Sequence, residues 1–384
     1  MRQETRVIIV GAGPAGLATS ACLNVDNIPN IVLEREDCFA SLWKKRAYDR
    51  LKLHLAKQFC ELPHMPFPPN APTFVPKHGF IRYLDDYVSK FNIDPLYHRH
   101  VSSASFDHND ERWVVVATNT LLGTTEEYVA EFLVVATGEN SEGYIPQIPG
   151  LDSFEGEVIH SSRYDNGTRF ANRDVLVVGS GNSGMEIALD LCNWGARTSL
   201  VVRSPVHILN EGMVKLGMEL LKYLPLDFVD NLVLMLSKLK YGNNLSDYGI
   251  QRPAKGPFFL KRATGRSPVI DVGTVSKIRA GEIEVLPSIK KVMNGDDVQF
   301  GDGETKRYDA IVFATGYKST VRKWLKEDGG LFNEDGMPKQ RSPNHWKGEN
   351  GIYCVGFASA GLFGISNDAR AVSRDISAIL GHNN

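Results

Sequence analysis

A glycine loop suited to phosphate occurs twice in this chain, as Gly11-Ala12-Gly13-Pro14-Ala15-Gly16 and as Gly179-Ser180-Gly181-Asn182-Ser183-Gly184. Each follows a short apolar run, Val7 to Val10 and Val175 to Val178, rich in β-branched residues and too short for a helix. Such runs read as buried parallel strands. A strand, a G-x-G-x-x-G turn and a helix make a dinucleotide-binding start. Its first glycine makes the tight turn, the second lets the backbone approach a pyrophosphate, and the third allows close helix-to-strand packing. The helix N-terminus then receives the negative charge. Two loops imply two dinucleotides.

The residue ending the second strand of each repeat separates the two ligands. Glu34 closes the run Ile31-Val32-Leu33, eighteen positions beyond Gly16, and an acid there suits an unphosphorylated ribose 2′-hydroxyl. FAD and NAD both carry that hydroxyl, so Glu34 excludes NADPH from the first loop without choosing between them. After the second loop the strand Thr198 to Val202 ends in Arg203, nineteen positions beyond Gly184. A guanidinium there suits a 2′-phosphate, hence NADPH.

These loops need a scaffold, and 384 residues are enough for two α/β domains, each with its own core. Arg6–Gly16 and Asp174–Gly184 repeat each other 168 residues apart, a duplication at domain scale. Phe132 to Gly138 and Ala310 to Gly316 form a second related pair, each an apolar strand ending in Ala-Thr-Gly. They are expected to mark crossings between domains. The predicted fold is α/β with two Rossmann-like dinucleotide-binding domains, the NADPH domain inserted into a discontinuous FAD domain. The expected bounds are 1–160 and 306–384 for the FAD domain and 161–305 for the NADPH domain. The proline-rich stretch Pro63 to Pro76 reads as a surface excursion.

Composition narrows the function classes. A formal net charge of −2 offers no basic field for nucleic acid, so no nucleic-acid partner is expected. The five cysteines, Cys22, Cys38, Cys60, Cys192 and Cys354, include no C-x-x-C pair and read as reduced cytoplasmic thiols. That disfavours a reductase working through a close cysteine pair. No His/Cys cluster has metal-ligand spacing, so no metal is expected. The polar start Met1 to Thr5 runs at once into a strand, so no signal peptide is expected. No apolar stretch reaches membrane-spanning length; the nearest, Met213 to Lys240, is interrupted by Pro225 and reads as a core-covering or site-covering helix pair.

Between the glycine loops lies Phe154-Glu-Gly156-Glu-Val-Ile-His160-Ser-Ser-Arg-Tyr164, which fits F-x-G-x-x-x-H-x-x-x-[YF] at every fixed position. On this motif the chain resembles the class B flavin-dependent monooxygenases. More narrowly it is similar to the plant YUCCA enzymes. The agreement runs through Ser41 to Leu55, Ala136-Thr-Gly-Glu-Asn140, Phe313 to Ser319, His345-Trp-Lys-Gly348 and Gly351 to Phe357.

The resemblance implies FAD and NADPH as cofactors and the oxidative decarboxylation of indole-3-pyruvate with O₂ to indole-3-acetate, the plant hormone auxin. In the family, reduced flavin captures O₂ as a C4a-peroxide sheltered by retained NADP⁺. A triad nucleophile is then unnecessary, because the flavin peroxide attacks the ketone itself. Protein partners are not indicated. The alternatives are a class B enzyme oxygenating nitrogen, sulfur or ketones, and a non-catalytic FAD- and NADP-binding protein.

The family's Leu-Trp pair that contacts FAD matches Leu42-Trp43. His54 stands where many relatives place an asparagine beside the flavin. Its two readings are a hydrogen bond that tunes the peroxide and a structural bond to a backbone carbonyl. His160 and Tyr164, four apart, are expected on one helical face, packing at the domain junction. Asn182 either donates to the nicotinamide nucleotide or serves the turn. Arg46, Arg50 and Lys57 are candidates for the substrate carboxylate by neighbourhood alone. Gly356 to Gly364, ahead of a helical pattern from Asp368 to Leu380, reads as the last FAD-contacting turn and helix.

Overall fold

The computed structural model describes residues 2–293 and 295–381. The chain folds as two compact units, one formed by Met1–Lys45, Ala56–Glu142 and Tyr317–Asn384, the other by Arg46–Leu55 and Gly143–Gly316. The second thus interrupts the first in sequence.

The first unit opens with β1 (Arg2–Val10), whose half beyond Arg6 is fully buried, then α1 (Pro14–Val25) and β2 (Asn30–Leu33). α2 (Ser41–Lys45) and α3 (Lys77–Lys90) follow. β1 pairs in parallel with β2, through Val7–Asn30 to Val10–Leu33. This is the βαβ unit that the apolar run, the glycine turn and the small-residue helix dictate. A hairpin, β3 (Arg99–Asp107) and β4 (Arg112–Asn119), leads into the long β5 (Thr124–Val135). β5 serves two neighbours on one edge: its first half pairs antiparallel with β4, and its second half pairs in parallel with Ile352–Cys354 from the far end of the chain. Its other edge runs parallel to β1. Trp113, Tyr128, Phe332 and Ile352 are among the residues that fill this core.

A polar cluster closes the far end of that sheet. Glu126 accepts from Arg99 Nε at 2.9 Å and from Arg99 Nη2 at 3.1 Å, and also from Tyr128 and Asn119. The guanidinium, helped by these donors and opposed by burial, holds the Glu126 carboxyl down to about 2. A depressed carboxyl stabilises the fold fully above its unfolded value, and that contribution disappears as pH falls through the folded value. Glu126→Gln is therefore expected to lower the melting temperature at neutral pH. The difference from wild type should shrink as pH falls from about 4.5 toward 2. Melts at a series of pH values check this, and a gap that stays constant would contradict it.

The second unit carries a five-stranded, wholly parallel sheet. In chain order its strands are β6 (Glu157–His160), β7 (Asp174–Val178), β8 (Arg197–Val201), β9 (Ile283–Leu286) and β10 (Ala310–Phe313). In space the order is β9-β8-β7-β10-β6. α4 (Asn182–Asn193) joins β7 to β8 and completes the second βαβ unit. The segment expected to begin at 161 and end at 305 extends further at both ends, because β6 and β10 are paired strands of this sheet.

The region Met213 to Lys240 is a helix pair, α5 (Glu211–Leu220) and α6 (Leu226–Tyr241), broken at Pro225 and packed with α7 (Pro257–Thr264) around Met213, Val229, Val233 and Phe258. Asp230, buried beneath them, accepts from the amides of Phe258 and Phe259 at 2.8 and 3.0 Å and so caps α7. Among the described residues no helix is long and apolar enough to cross a membrane.

Candidate functional site: two nucleotide loops

The first loop leaves β1 at Gly11, whose φ of +106° only glycine adopts without strain. A Cβ there would lie 2.7 Å from the carbonyl oxygen of Ala136. At Gly16 a Cβ would lie 1.9 Å from the Gly11 oxygen, so α1 packs directly on the turn. Gly13 differs: no protein atom lies within 4 Å of its Cβ position. Contact with the protein forbids a side chain at the first and third glycines, while the second faces open space. That is the arrangement a pyrophosphate approaching loop amides requires.

Glu34 is buried behind this turn. One carboxylate oxygen accepts from the Ala12 amide at 2.8 Å and the other from the Glu36 amide at 2.9 Å. Burial pushes its carboxyl above the usual range, opposed by those two amides. Leu42 and Trp43 sit on α2, both half-buried, and the Trp43 ring meets Phe80 edge-on at 4.6 Å. Trp43 is therefore not an interior residue of the core.

In the same unit the glycine-rich turn near the C-terminus is tied down from two sides. Ser359, with φ of +53°, donates to Glu139 at 2.9 Å. Asp368 accepts from the Gly356 amide at 3.3 Å and contacts His345 Nε2 at 3.1 Å. A Cβ on Gly356 would lie 3.1 Å from Ala15 Cβ, which places this turn against the start of α1. The helix following it, α8 (Gly361–Ile379), begins seven residues before the expected Asp368.

The second loop repeats the first closely. Gly179 has φ of +114°, and its Cβ would lie 2.5 Å from the Ala314 oxygen. Gly184 would meet the Gly179 oxygen at 1.8 Å, and again nothing lies within 4 Å at the middle glycine, Gly181. The two Ala-Thr-Gly strand ends thus share one task, since Ala136 and Ala314 present the carbonyls against which the loops turn. Asn182 is the first residue of α4, and its side-chain oxygen accepts from the Ile270 amide at 2.8 Å. It ties the helix start to a neighbouring strand instead of shaping a turn. Arg203 is exposed, two residues beyond the end of β8.

The signature motif has a structural meaning that helical spacing does not predict. His160 ends β6, and a short 3-10 turn, Ser161–Arg163, separates it from Tyr164, so the two share no helical face. His160 Nε2 lies 2.9 Å from the Gly316 oxygen, and Nδ1 accepts from the Ser162 amide at 3.2 Å. Those partners select the neutral ring protonated on Nε2, and burial pushes its pKa down. Tyr164 donates to Asp190 of α4 at 2.7 Å. Gly156 is forced by the Asp309 oxygen and the Phe154 ring, each 2.6 Å from its Cβ position. The motif fastens β6 to the Ala-Thr-Gly turn and to the helix of the second loop.

His54 belongs to the segment Arg46–Leu55, which joins the second unit. The Asp49 amide donates to the Asp165 oxygen at 2.9 Å, Arg50 stands 4.0 Å from Asp190, and Tyr48 is buried in the unit's core. His54 Nε2 lies 2.8 Å from Glu186 of α4, so its partner is a carboxylate where a backbone carbonyl was the structural expectation. Glu186 escapes sequence reasoning, although one acid inside the buried run Gly184–Leu189 was the available signal. Lys57 does not fit the substrate-carboxylate expectation: its ammonium donates to the Pro68, Pro69 and Ala71 oxygens at 3.1, 2.9 and 2.7 Å, which uses all three protons to hold the proline-rich stretch. All five cysteines are free, and no metal-holding cluster occurs among the described residues.

Each unit holds a parallel βαβ element with a glycine loop behind its first strand, one in a mixed sheet and one in a wholly parallel sheet, the architecture of a protein that holds two dinucleotides. The model of flavin-binding monooxygenase-like proteins matches residues 4–327. The chain is 55% identical over 377 residues to the probable indole-3-pyruvate monooxygenase YUCCA10 of Arabidopsis thaliana, covering 98% of each. It is 48% identical to the indole-3-pyruvate monooxygenase YUCCA6 of the same plant, over 97% of this chain and 90% of the relative. The flavin-containing monooxygenase of Stenotrophomonas maltophilia shares the fold with a TM-score of 0.73 and 22% identity, over 98% of this chain and 99% of that one. The chain belongs to the flavin-binding monooxygenase-like family.

Proposed function

We propose that this chain is a plant monooxygenase of auxin biosynthesis, converting indole-3-pyruvate, NADPH and O₂ to indole-3-acetate, CO₂, NADP⁺ and water. The observation that carries the reading is the 55% identity to an indole-3-pyruvate monooxygenase across 98% of both chains. FAD and NADPH are its cofactors. FAD, when bound, would supply the hydride acceptance and O₂ activation, which would spare the protein a nucleophile of its own.

The chain's residues supply binding, orientation and dryness. The first unit is assigned to FAD: Gly11 to Gly16 take the pyrophosphate at the start of α1, and Leu42 and Trp43 contact the cofactor. One Glu34 oxygen accepts from the Ala12 loop amide and the other from the Glu36 amide, and each keeps a lone pair for the ribose hydroxyl. The second unit is assigned to NADPH, with Gly179 to Gly184 as its phosphate loop and Arg203 on the 2′-phosphate. His54 is assigned to the reaction centre, where its ring holds a proton on the reacting oxygen. The five free cysteines support a reducing, cytoplasmic setting.

The test is anaerobic reduction by NADPH followed by mixing with O₂ and indole-3-pyruvate, with flavin absorbance and products followed together. Indole-3-acetate and CO₂ are expected in step with NADPH oxidised. A thioether oxygenated while indole-3-pyruvate is left untouched would overturn the substrate class. Flavin that binds without any oxygenation would overturn the enzyme.

A further inference from the structure

We infer that Glu186 is the positioning residue for His54: its carboxylate accepts a hydrogen bond from Nε2–H, fixes the ring and its tautomer, and leaves Nδ1 to act on the reaction. The inference rests on the assignment of His54 to the reaction centre and adds the residue that prepares it.

Glu186 stands inside an apolar run of α4, with only 4% of its surface exposed. A carboxylate buried this deeply is costly unless a partner compensates it. That partner is His54 Nε2 at 2.8 Å. The Tyr48 phenol is close enough for the same carboxylate to help push its pKa well up, after the larger effect of burial.

The exposure is asymmetric: 5% of the Glu186 side chain is accessible against 31% of the His54 side chain. The acid faces protein while the ring reaches outward, the arrangement in which a carboxylate orients a histidine and selects its tautomer. In the neutral ring a carboxylate can only accept, so the proton sits on Nε2 and the lone pair on Nδ1.

The segment that carries the histidine is anchored five residues earlier, at Asp49. Asp49 and Asn166 bond side chain to side chain at 2.9 Å, and the Asp49 amide reaches the Asp165 oxygen. Glu186 lies two residues past the last glycine of the second loop. One short helix therefore begins at the assigned nicotinamide nucleotide and carries the carboxylate that aims the histidine.

The experiment labels histidine rings with ¹⁵N in wild type, Glu186→Met and Glu186→Gln and reads the apoproteins by NMR at mildly alkaline pH. Indole-3-acetate formed per NADPH is then measured in the FAD-loaded proteins. Wild type is expected to show His54 protonated on Nε2. Glu186→Met fills similar space without an acceptor; it is expected to spread the proton over both nitrogens and lower the yield per NADPH about ten-fold, hydrogen peroxide taking the difference. Glu186→Gln keeps an acceptor oxygen without the charge and is expected to fall between them in both readouts, which keeps the test decisive if the methionine variant does not fold. An unchanged His54 tautomer in the folded variants overturns the positioning role. An unchanged yield in His54→Ala overturns instead the assignment of His54 to the reaction centre, whatever tautomer is observed.

Discussion

Gly13→Val is expected to give a folded protein that stays colourless in excess FAD. Gly13 has φ of −72° and ψ of 179°, extended backbone that any residue adopts. Nothing in the protein stands within 4 Å of the added Cβ, so the fold has no quarrel with the side chain. The pyrophosphate does, because its oxygens must come within hydrogen-bonding distance of the loop amides where the valine methyls would project. Losing two or more charge-assisted bonds of about 1.5–3 kcal/mol each weakens FAD by a hundred-fold or more. Gly16→Ala provides the contrast. Its Cβ would press on the Gly11 oxygen at 1.9 Å, so that variant loses stability along with flavin. Flavin absorbance after reconstitution, read beside a melting curve, separates the two effects. A normally yellow Gly13→Val would remove the first loop from the flavin site.

The parts of this molecule that depend on neighbours in sequence were legible from the residues. Val7 to Val10 and Val175 to Val178 are buried parallel strands because β-branched runs of that length suit no other element. The loops behind them turn at Gly11 and Gly179, where positive φ selects glycine. Pro225 divides the helix pair around it. What escaped depends on partners far along the chain. Spacing alone put His160 and Tyr164 on one helical face, but β6 extends through His160 because β10 pairs with it up to Phe313. Tertiary pairing overrode local period there. The bounds of the second unit moved outward for the same reason. Glu186 lies 132 residues from His54, and nothing local to either residue reports the bond. α8 starts at Gly361 instead of near Asp368, since glycine and serine at its head weaken the helical pattern without preventing the helix.

The glycine loops match so closely that, on the proposed assignment, the residue at the end of the second strand is what distinguishes the two nucleotides. Glu34 there is buried and accepts from the Ala12 and Glu36 amides, whereas Arg203 at the matching place is exposed. Arg203→Ala therefore leaves the fold alone and is expected to act on one ligand only. A guanidinium on a 2′-phosphate makes charge-assisted, often bidentate bonds worth about 1.5–3 kcal/mol, so NADPH affinity should fall about 10- to 150-fold. NADH has no 2′-phosphate and should bind as before. Added salt should weaken NADPH binding in wild type more than in the variant, because the exposed charge pair is the part that salt screens. Nucleotide titrations at two ionic strengths measure both effects. Equal losses for NADPH and NADH would mean that Arg203 contacts a part common to both, and the 2′-phosphate would need another cation on the second unit.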